Sequence, residues 1–259
     1  MPDLIVERAG GVVRATLNRP ERKNALTYRL FDELGALFDE VDGDDEARVL
    51  VLRGAGGTFS SGMDLSDRAG EAEPRAGSKA AMDRIHATAL RLHRLRTPSV
   101  AVVEGLAVGA GMSLALGCDL VVASSTARFC AIFARRGLSI DFGLSWLLPR
   151  LVGAQKAMEL SLLAEFVDAD EARRIGLVAR VASPESLEAE VEALVERLAT
   201  GPTVALSNDV ALLAASSTAT FAEAIDAEAA AQVRAIGSRD AAEAIAAFLE
   251  KREARFEGR

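Results

Sequence analysis

Gly105-Leu106-Ala107-Val108-Gly109-Ala110-Gly111-Met112-Ser113 is the stretch on which the reading of this chain turns. It follows Val100 to Val103, an apolar run with the form of a strand buried on both faces. Glycine lets a backbone approach another group closely and leave adjacent N–H groups unpaired. The segment therefore reads as a small, apolar loop feeding a tightly packed helix, whose first N–H groups lack intrahelical acceptors and favour negative charge. A second junction of the same kind, Thr58-Phe59-Ser60-Ser61-Gly62-Met63-Asp64-Leu65, follows the buried run Val49 to Leu52 within a glycine-rich loop from Gly54 to Gly62. Two such junctions facing each other would hold an oxyanion between two backbone amides. Either one alone reads better as a tight turn that permits close helix packing.

Outward from these loops the pattern alternates. Leu4 to Val6 and Val12 to Leu17 read as strands around the turn Ala9-Gly10-Gly11. Leu30, Leu34, Leu37, Phe38 and Val41 recur at helical spacing behind Thr27, a predicted N-cap, and Asp42-Gly43-Asp44-Asp45 ends that helix. Residues 66 to 78 are polar and contain Pro74, which predicts a mobile connection. Met82, Ile85, Ala89, Leu92 and Leu95 predict a second helix, ended by Pro98. Asp119 to Ala123 and Ala127 to Cys130 read as further short strands, and the chain after Gly143 as mostly helical with one strand near Leu177 to Val181. This order predicts an α/β core over residues 1–200 and a helical region over 201–259, divided at Thr200-Gly201-Pro202.

Composition narrows the function classes. A chain of 259 residues can bury one large core. The net charge of −8 argues against general nucleic-acid binding, which needs a basic surface. Local basic groups, Arg19-Arg22-Lys23 near the start and Lys251-Arg252-Arg255 near the end, leave room for a small anionic ligand. No apolar run is long enough to span a bilayer, and Met1-Pro2-Asp3 leads straight into strand-like sequence without a secretory pattern, so a cytoplasmic location is expected. Cys118 and Cys130 lie in apolar surroundings without metal-ligand spacing, which reads as reduced core cysteine and no metal.

Taken in order, several phrases resemble the crotonase (enoyl-CoA hydratase/isomerase) family: Asn18-Arg19-Pro20 with Asn24-Ala25-Leu26, Phe59 to Leu65, Gly105 to Gly111, Cys118-Asp119-Leu120, Trp146 to Gly153, Gly176-Leu177-Val178, and Phe248 to Arg252. The resemblance implies a spiral of ββα units with C-terminal helices that mediate assembly into a trimer or a dimer of trimers. It implies an acyl-CoA thioester as substrate, with CoA part of that substrate and no separate cofactor. The thioester carbonyl would be held by the backbone N–H groups of Met63 and Ala110. Arg22, Lys23 and Ala25 would lie along the CoA, and Ser61, Asp64 and Leu65 near its adenine and pantetheine, with Gly62, Gly109, Ser113 and Phe133 completing the surroundings of the substrate.

The sequence departs from the hydratases of that family. Their two water-activating glutamates correspond to Ser113 and Phe133, neither of which carries a carboxylate. Asp141, in Gly137-Leu138-Ser139-Ile140-Asp141-Phe142-Gly143, matches a position where some crotonase isomerases carry a catalytic aspartate, including ring-epoxide and enoyl-CoA isomerases. Between Ile140 and Phe142 it is expected to be partly desolvated, with its pKa raised. The competing reading is an N-cap for the following helix. The expected function is an acyl-CoA isomerase with Asp141 as single acid/base. The alternatives are an atypical hydratase with water held by Ser113 or Asp141, and a non-catalytic acyl-CoA-binding protein. His86 and His93 are expected to be surface or packing residues, and Trp146 a core residue.

Overall fold

The apolar runs become neighbouring strands of one sheet; Val100 to Val103 is followed by a short second strand and a helix, and Val49 to Leu52 by a segment that pairs only through isolated bridges at Ser60 and Met63. The computed structural model describes residues 1–65 and 78–259. The connection expected over residues 66 to 78 lies, except for Ser78, outside the described residues. β1 (Leu4–Ala9) and β2 (Val12–Leu17) form the expected hairpin and precede α1 (Tyr28–Asp42); β3 (Val49–Gly54) leads toward α2 (Lys79–Arg94). β4 (Ser99–Val103) and β5 (Leu106–Val108) precede α3 (Ala110–Leu116). β6 (Leu120–Ser124) and β7 (Arg128–Cys130) precede α4 (Leu144–Val152). After α5 (Ala154–Leu163) come β8 (Val167–Asp168), α6 (Ala169–Arg174) and β9 (Arg180–Ala182), and then α7 (Leu187–Ala199), α8 (Thr203–Ser216), α9 (Phe221–Ile236) and α10 (Arg239–Glu250).

These units wind into two sheets. The larger runs β1-β2-β3-β4-β6-β9, parallel from β2 onward. The smaller runs β5-β7-β8 and is extended by bridges from Ser60 to Ala107 and from Leu26 to Met63. β3, β4 and β6 thus stack in the larger sheet with the hairpin β1-β2, while the segments that follow them, at Ser60, β5 and β7, pair in the smaller. Alternation along the strands divides the core. Leu50, Leu52, Ala101 and Val103 pack with α1, α2 and α3, while Val49, Val51, Val100, Val102 and Val122 meet Leu187, Val191, Leu194 and Val195 of α7. Burial on both faces is what the uninterrupted apolar runs implied.

Thr27 caps α1 by accepting the Leu30 N–H at 3.1 Å, as its position before the helical pattern predicts. Three strands differ from expectation. β5 lies inside the stretch expected to be loop, β8 had no sequence signal, and β9 begins at Arg180 rather than Leu177. Strands of two or three residues carry too few alternating positions to register as a pattern, and they exist because a neighbour pairs with them. Leu177 and Val178 are core residues rather than strand residues.

The C-terminal helices bury little. α8 buries none of its residues fully, and Phe221 and Phe248 remain 83% and 81% exposed. The tail turns back, and the buried Asp240 accepts the N–H groups of Glu257 (2.7 Å) and Gly258 (2.9 Å).

Gly111 of α3 lies directly against Ser60, and a methyl group on it would stand 2.6 Å from Ser60 Cβ and 2.8 Å from the Ser60 carbonyl oxygen. Gly111→Ala should therefore lower the unfolding free energy by about 1–3 kcal/mol in urea titration, the usual effect of overpacking. Gly43→Ala, where the nearest atom is 3.4 Å away, should change it by less than about 0.5 kcal/mol.

Candidate active site

Both glycine-rich junctions arrive at one place. A methyl group on Gly62 would lie 2.6 Å from the Val108 carbonyl oxygen and 3.6 Å from the Ala110 nitrogen, so the loops touch backbone to backbone. Gly62 and Gly109 both adopt positive φ, +94° and +53°, which side-chain-bearing residues rarely tolerate. Leu26 donates its N–H to Gly62 O (2.8 Å) and accepts from Asp64 N (2.8 Å). That parallel pairing turns the N–H of the intervening Met63 the other way. Ala110 is the first residue of α3, and its N–H has no intrahelical acceptor. Among the described residues neither N–H donates to any protein atom. Paired free amides of this kind suit a developing oxyanion. Alanine at 110 keeps the donor.

A polar clamp holds the first loop. Arg19 reaches Asp64 at 2.9 Å and the Ala25 carbonyl at 2.6 Å. Asn24, fully buried, donates to Ala55 O (2.8 Å) and Thr58 O (2.6 Å) and accepts from Arg19 N (2.8 Å). Ser60 Oγ donates to Asn24 O at 2.8 Å and accepts the Gly62 N–H at 3.1 Å. Ser61 is tied to the same turn through Lys23 O (2.9 Å) and Arg22 O (3.3 Å). Arg22, Lys23, Ala25, Ser61, Gly62, Met63, Asp64 and Leu65 are thereby gathered, with Arg22, Lys23 and Leu65 exposed and Ala25 and Asp64 buried.

Two expectations change here. Arg19, grouped by sequence with the ligand-facing bases, is committed to Asp64 and lies 3.7 Å from Asp3. Asn24 and Ser60 carry the loop geometry, although the sequence marked them only as members of longer phrases. Near the other terminus, Arg252 is engaged by Glu243 and Glu250.

Asp141 stands beside the second loop. Ser113, fully buried, places its hydroxyl 3.2 Å from Gly109 O and 3.3 Å from Asp141 O, linking the two turns through one side chain. Phe142 is held at a φ of +51° while its buried ring packs against Phe31, with centroids 5.5 Å apart. Burial of that ring over-determines the strained turn and fixes the direction of Asp141. The N-cap reading fails. The cap of α4 is Gly143, no side chain caps the helix, and it is the backbone carbonyl of Asp141 that accepts from Leu144 N (3.0 Å). Asp141 Oδ1 is buried and has no hydrogen-bond partner among the described residues. Burial pushes its carboxyl above the ordinary range, and the electrostatic influence of nearby His86 opposes that shift. Phe133 is buried close to Gly109, where a methyl group on the glycine would stand 3.9 Å from its Cζ.

Asp141 also lines a cavity of about 870 Å³, together with His86 and His93 of α2. Neither Met63 nor Ala110 lines it, so the cavity extends from the carboxylate away from the paired amides. Both histidines thus belong to the cavity. Trp146, expected in the core, is a half-buried cavity wall, with the His93 ring edge-on at 4.9 Å and the Arg150 guanidinium 4.0 Å over its ring. Glu104 is not among the residues lining that cavity, and its charge acts on Arg53. Burial raises the thiol pKa of both Cys118 and Cys130, which are free and buried, as expected of core cysteines. Among the described residues no cluster has the composition of a metal site, and no helix is long and apolar enough to cross a membrane.

Fold and site together define a class: a two-layered α/β protein with two free backbone amides at the contact of two loops and an unpartnered carboxylate nearby. Comparison with known proteins agrees. The family model described as Enoyl-CoA hydratase/isomerase matches residues 7–259. The 1,2-epoxyphenylacetyl-CoA isomerase of Escherichia coli is 37% identical, covering 96% of each chain. A crystal structure of enoyl-CoA hydratase from Mycobacterium smegmatis has a TM-score of 0.91 at 34% identity, covering 99% of both chains. That of the Bacillus anthracis enoyl-CoA hydratase reaches 0.93 at 28% identity, covering 100% of both. The chain belongs to the enoyl-CoA hydratase/isomerase family and has the crotonase fold.

A raised carboxyl pKa in the folded state means that the folded protein holds the Asp141 proton more tightly than the unfolded chain does. Asp141 therefore lowers stability as pH rises from its unfolded value, about 3.9, through the higher folded one. Asp141→Asn should melt no earlier than the parent at pH 7 and later if the unpaired charge dominates. The difference should shrink toward pH 3, as followed by circular dichroism. A large drop in melting temperature at pH 7 would contradict this assignment.

Proposed function

We propose that this enzyme isomerises an enoyl-CoA or related acyl-CoA, using Asp141 as a single acid/base. The observation that carries the reading is the buried, unpartnered Oδ1 of Asp141 on a turn in which it caps nothing. In this mechanism the thioester oxygen accepts the N–H groups of Met63 and Ala110. The Asp141 carboxylate removes a proton from an acyl carbon, negative charge grows on the thioester oxygen, and the two amides stabilise it. One such donor is worth roughly 3 kcal/mol in other enzymes. Asp141 then returns the proton to a different carbon, so the product has the mass of the substrate. Arg22 and Lys23, exposed at the rim of the first loop, meet the CoA phosphates. Ala25, Ser61, Asp64 and Leu65 flank the rest of the CoA, while Gly109, Ser113 and Phe133 shape the second side.

Hydration needs a water held and activated opposite the acyl carbons. Ser113 is a poor holder because its hydroxyl is already turned to Gly109 O and Asp141 O, and Phe133 offers no polar atom. The family's usual pair of carboxylates is thus replaced by a residue that supports the turn of Asp141 and one that packs beside Gly109.

Asp141→Asn should reduce turnover of a 3-enoyl-CoA by roughly 100- to 10,000-fold with little change in acyl-CoA affinity, whereas Phe133→Leu should be mild. In the parent, kcat/KM should fall on the acid side at a pH above the ordinary aspartate range, because the base must be ionised and burial raises its pKa. Product mass by mass spectrometry decides the reaction type. An increase by one water would favour the hydratase, and near-normal turnover by the asparagine variant would remove Asp141 from the mechanism.

We infer further that the chain assembles as a trimer or a dimer of trimers. The exposed Leu213, Phe221, Val233, Ile245, Phe248 and Leu249 of the C-terminal helices form more apolar surface than a lone subunit would present. Light scattering at micromolar concentration should give a multiple of three subunits, and a monomer would refute the assembly.

A further inference from the structure

Asp141 Oδ1 is buried without a hydrogen-bond partner, yet the same side chain lines a cavity that leads away from the paired amides. α2 forms one wall of that cavity. His86, Ala89, Leu90 and His93 line it at spacings that put them on one helical face. α1 holds this face in place. Arg84 pairs with Asp32 and Arg91 with Asp39, and the buried Thr88 hydroxyl donates to Phe31 O at 2.9 Å. The ring of the same Phe31 packs against Phe142, the neighbour of Asp141. One residue of α1 therefore registers both the helix that carries His86 and the turn that carries Asp141.

The other charged groups around the cavity are differently placed. His93 meets Trp146 edge-on at 4.9 Å, and its electrostatic influence falls on Asp119, whereas that of His86 falls on Asp141. Arg94 and Arg96 also line the cavity, and Arg96 pairs with Asp42 at 3.3 Å. A guanidinium does not exchange its proton with a carboxylate, so neither can receive one from Asp141. Arg150 of α4 lies over the Trp146 ring. Among the described lining residues, α4, α8 and the turn after α8 contribute no titratable side chain. Imidazole both accepts and donates a proton near neutral pH, and His86 is exposed to solvent while facing the buried carboxyl's cavity.

We propose that His86 is the proton-relay partner of Asp141, connecting the buried carboxyl to solvent through the cavity on the side away from the substrate. The proposal rests on the isomerase reading above and adds what happens to the proton between its removal and its return. The C–H bond of the acyl carbon breaks, its electron pair enters the thioester enolate, and Asp141 becomes a carboxylic acid. Neutral His86 then takes that proton through water in the cavity, which at about 870 Å³ has room for it and gains a polar wall from Ser145. The imidazolium exchanges its proton with solvent and returns one to the Asp141 carboxylate, which delivers it to the second carbon. Charge and mass balance, and no other reactant is needed. His86 acts through Asp141 and does not touch the substrate.

Turnover of a 3-enoyl-CoA by the full chain in D₂O, with the product examined by mass spectrometry at early conversion, tests this. Most product molecules from the parent should carry one deuterium. His86→Ala and His86→Gln should each lower the deuterium-bearing fraction roughly fivefold, since the proton then passes from carbon to carbon on Asp141 alone. Free imidazole should restore the fraction in His86→Ala, which a merely structural role of the histidine would not allow. His93→Asn should leave the fraction within about twofold of the parent's. Product free of deuterium in the parent would overturn the proposal. So would an unchanged fraction in both folded His86 variants, or an equal loss in His93→Asn. A 3-enoyl-CoA left unisomerised by the parent, or isomerised normally by Asp141→Asn, would instead sink the isomerase reading, and the proposal with it.

Discussion

Between Ser60 and Gly111 there is room for a hydrogen atom and nothing larger, since a methyl group on Gly111 would fall within 3 Å of three Ser60 atoms. This contact seats α3 against the segment that follows β3. Ser60 is bridged to Ala107 in the second layer, and its hydroxyl donates to Asn24 O and receives the Gly62 N–H. A single small side chain therefore fixes how closely α3 approaches and how Gly62 turns. The free amides of Met63 and Ala110 owe their proximity to that approach.

The clamp behind this contact is polar. Arg19 and Asp64 are both largely buried, and each is compensated by the other at 2.9 Å. A buried pair of this type contributes little net stability, but removing one partner leaves a charge without compensation. Its value here is geometric: it joins the turn after β2 to the segment after β3, which are otherwise linked by Asn24. Because Arg19 serves inside the protein, the exposed positive charge of this loop comes from Arg22 and Lys23.

On the other side the arrangement inverts the usual logic of a buried acid. A structural carboxylate is expected to find donors, and Asp240 does so with two backbone N–H groups. Asp141 Oδ1 finds none, although the turn that carries it is held by Ser113, Leu144 and the packed ring of Phe142. A carboxylate fixed in direction but unsatisfied in its own hydrogen bonding is suited to exchanging a proton with a ligand.

Local chemistry made part of this legible from the sequence alone. Apolar runs such as Val49 to Leu52 and Val100 to Val103 announce strands buried on both faces, the 3.6-residue spacing behind Thr27 announces α1, and ordered glycine-rich phrases announce two close-approaching loops. Those signals depend on near neighbours along the chain and indicated an α/β core with two close-approaching loops; the spiral fold and Met63, Ala110 and Asp141 as candidates came from the resemblance of the ordered phrases to a known family. Other features depend on partners far away in sequence. β5 and β8 exist through pairing with β7, and Arg19 is withdrawn from the surface by Asp64, 45 positions later. Trp146 and the two histidines become cavity walls because α2, α4 and α8, distant in sequence, border one cavity. Whether Asp141 capped a helix or stood free was likewise beyond the sequence, since either role suits an aspartate before a helical run. Only the folded turn, with Gly143 at the cap and Phe142 locked against Phe31, decided it.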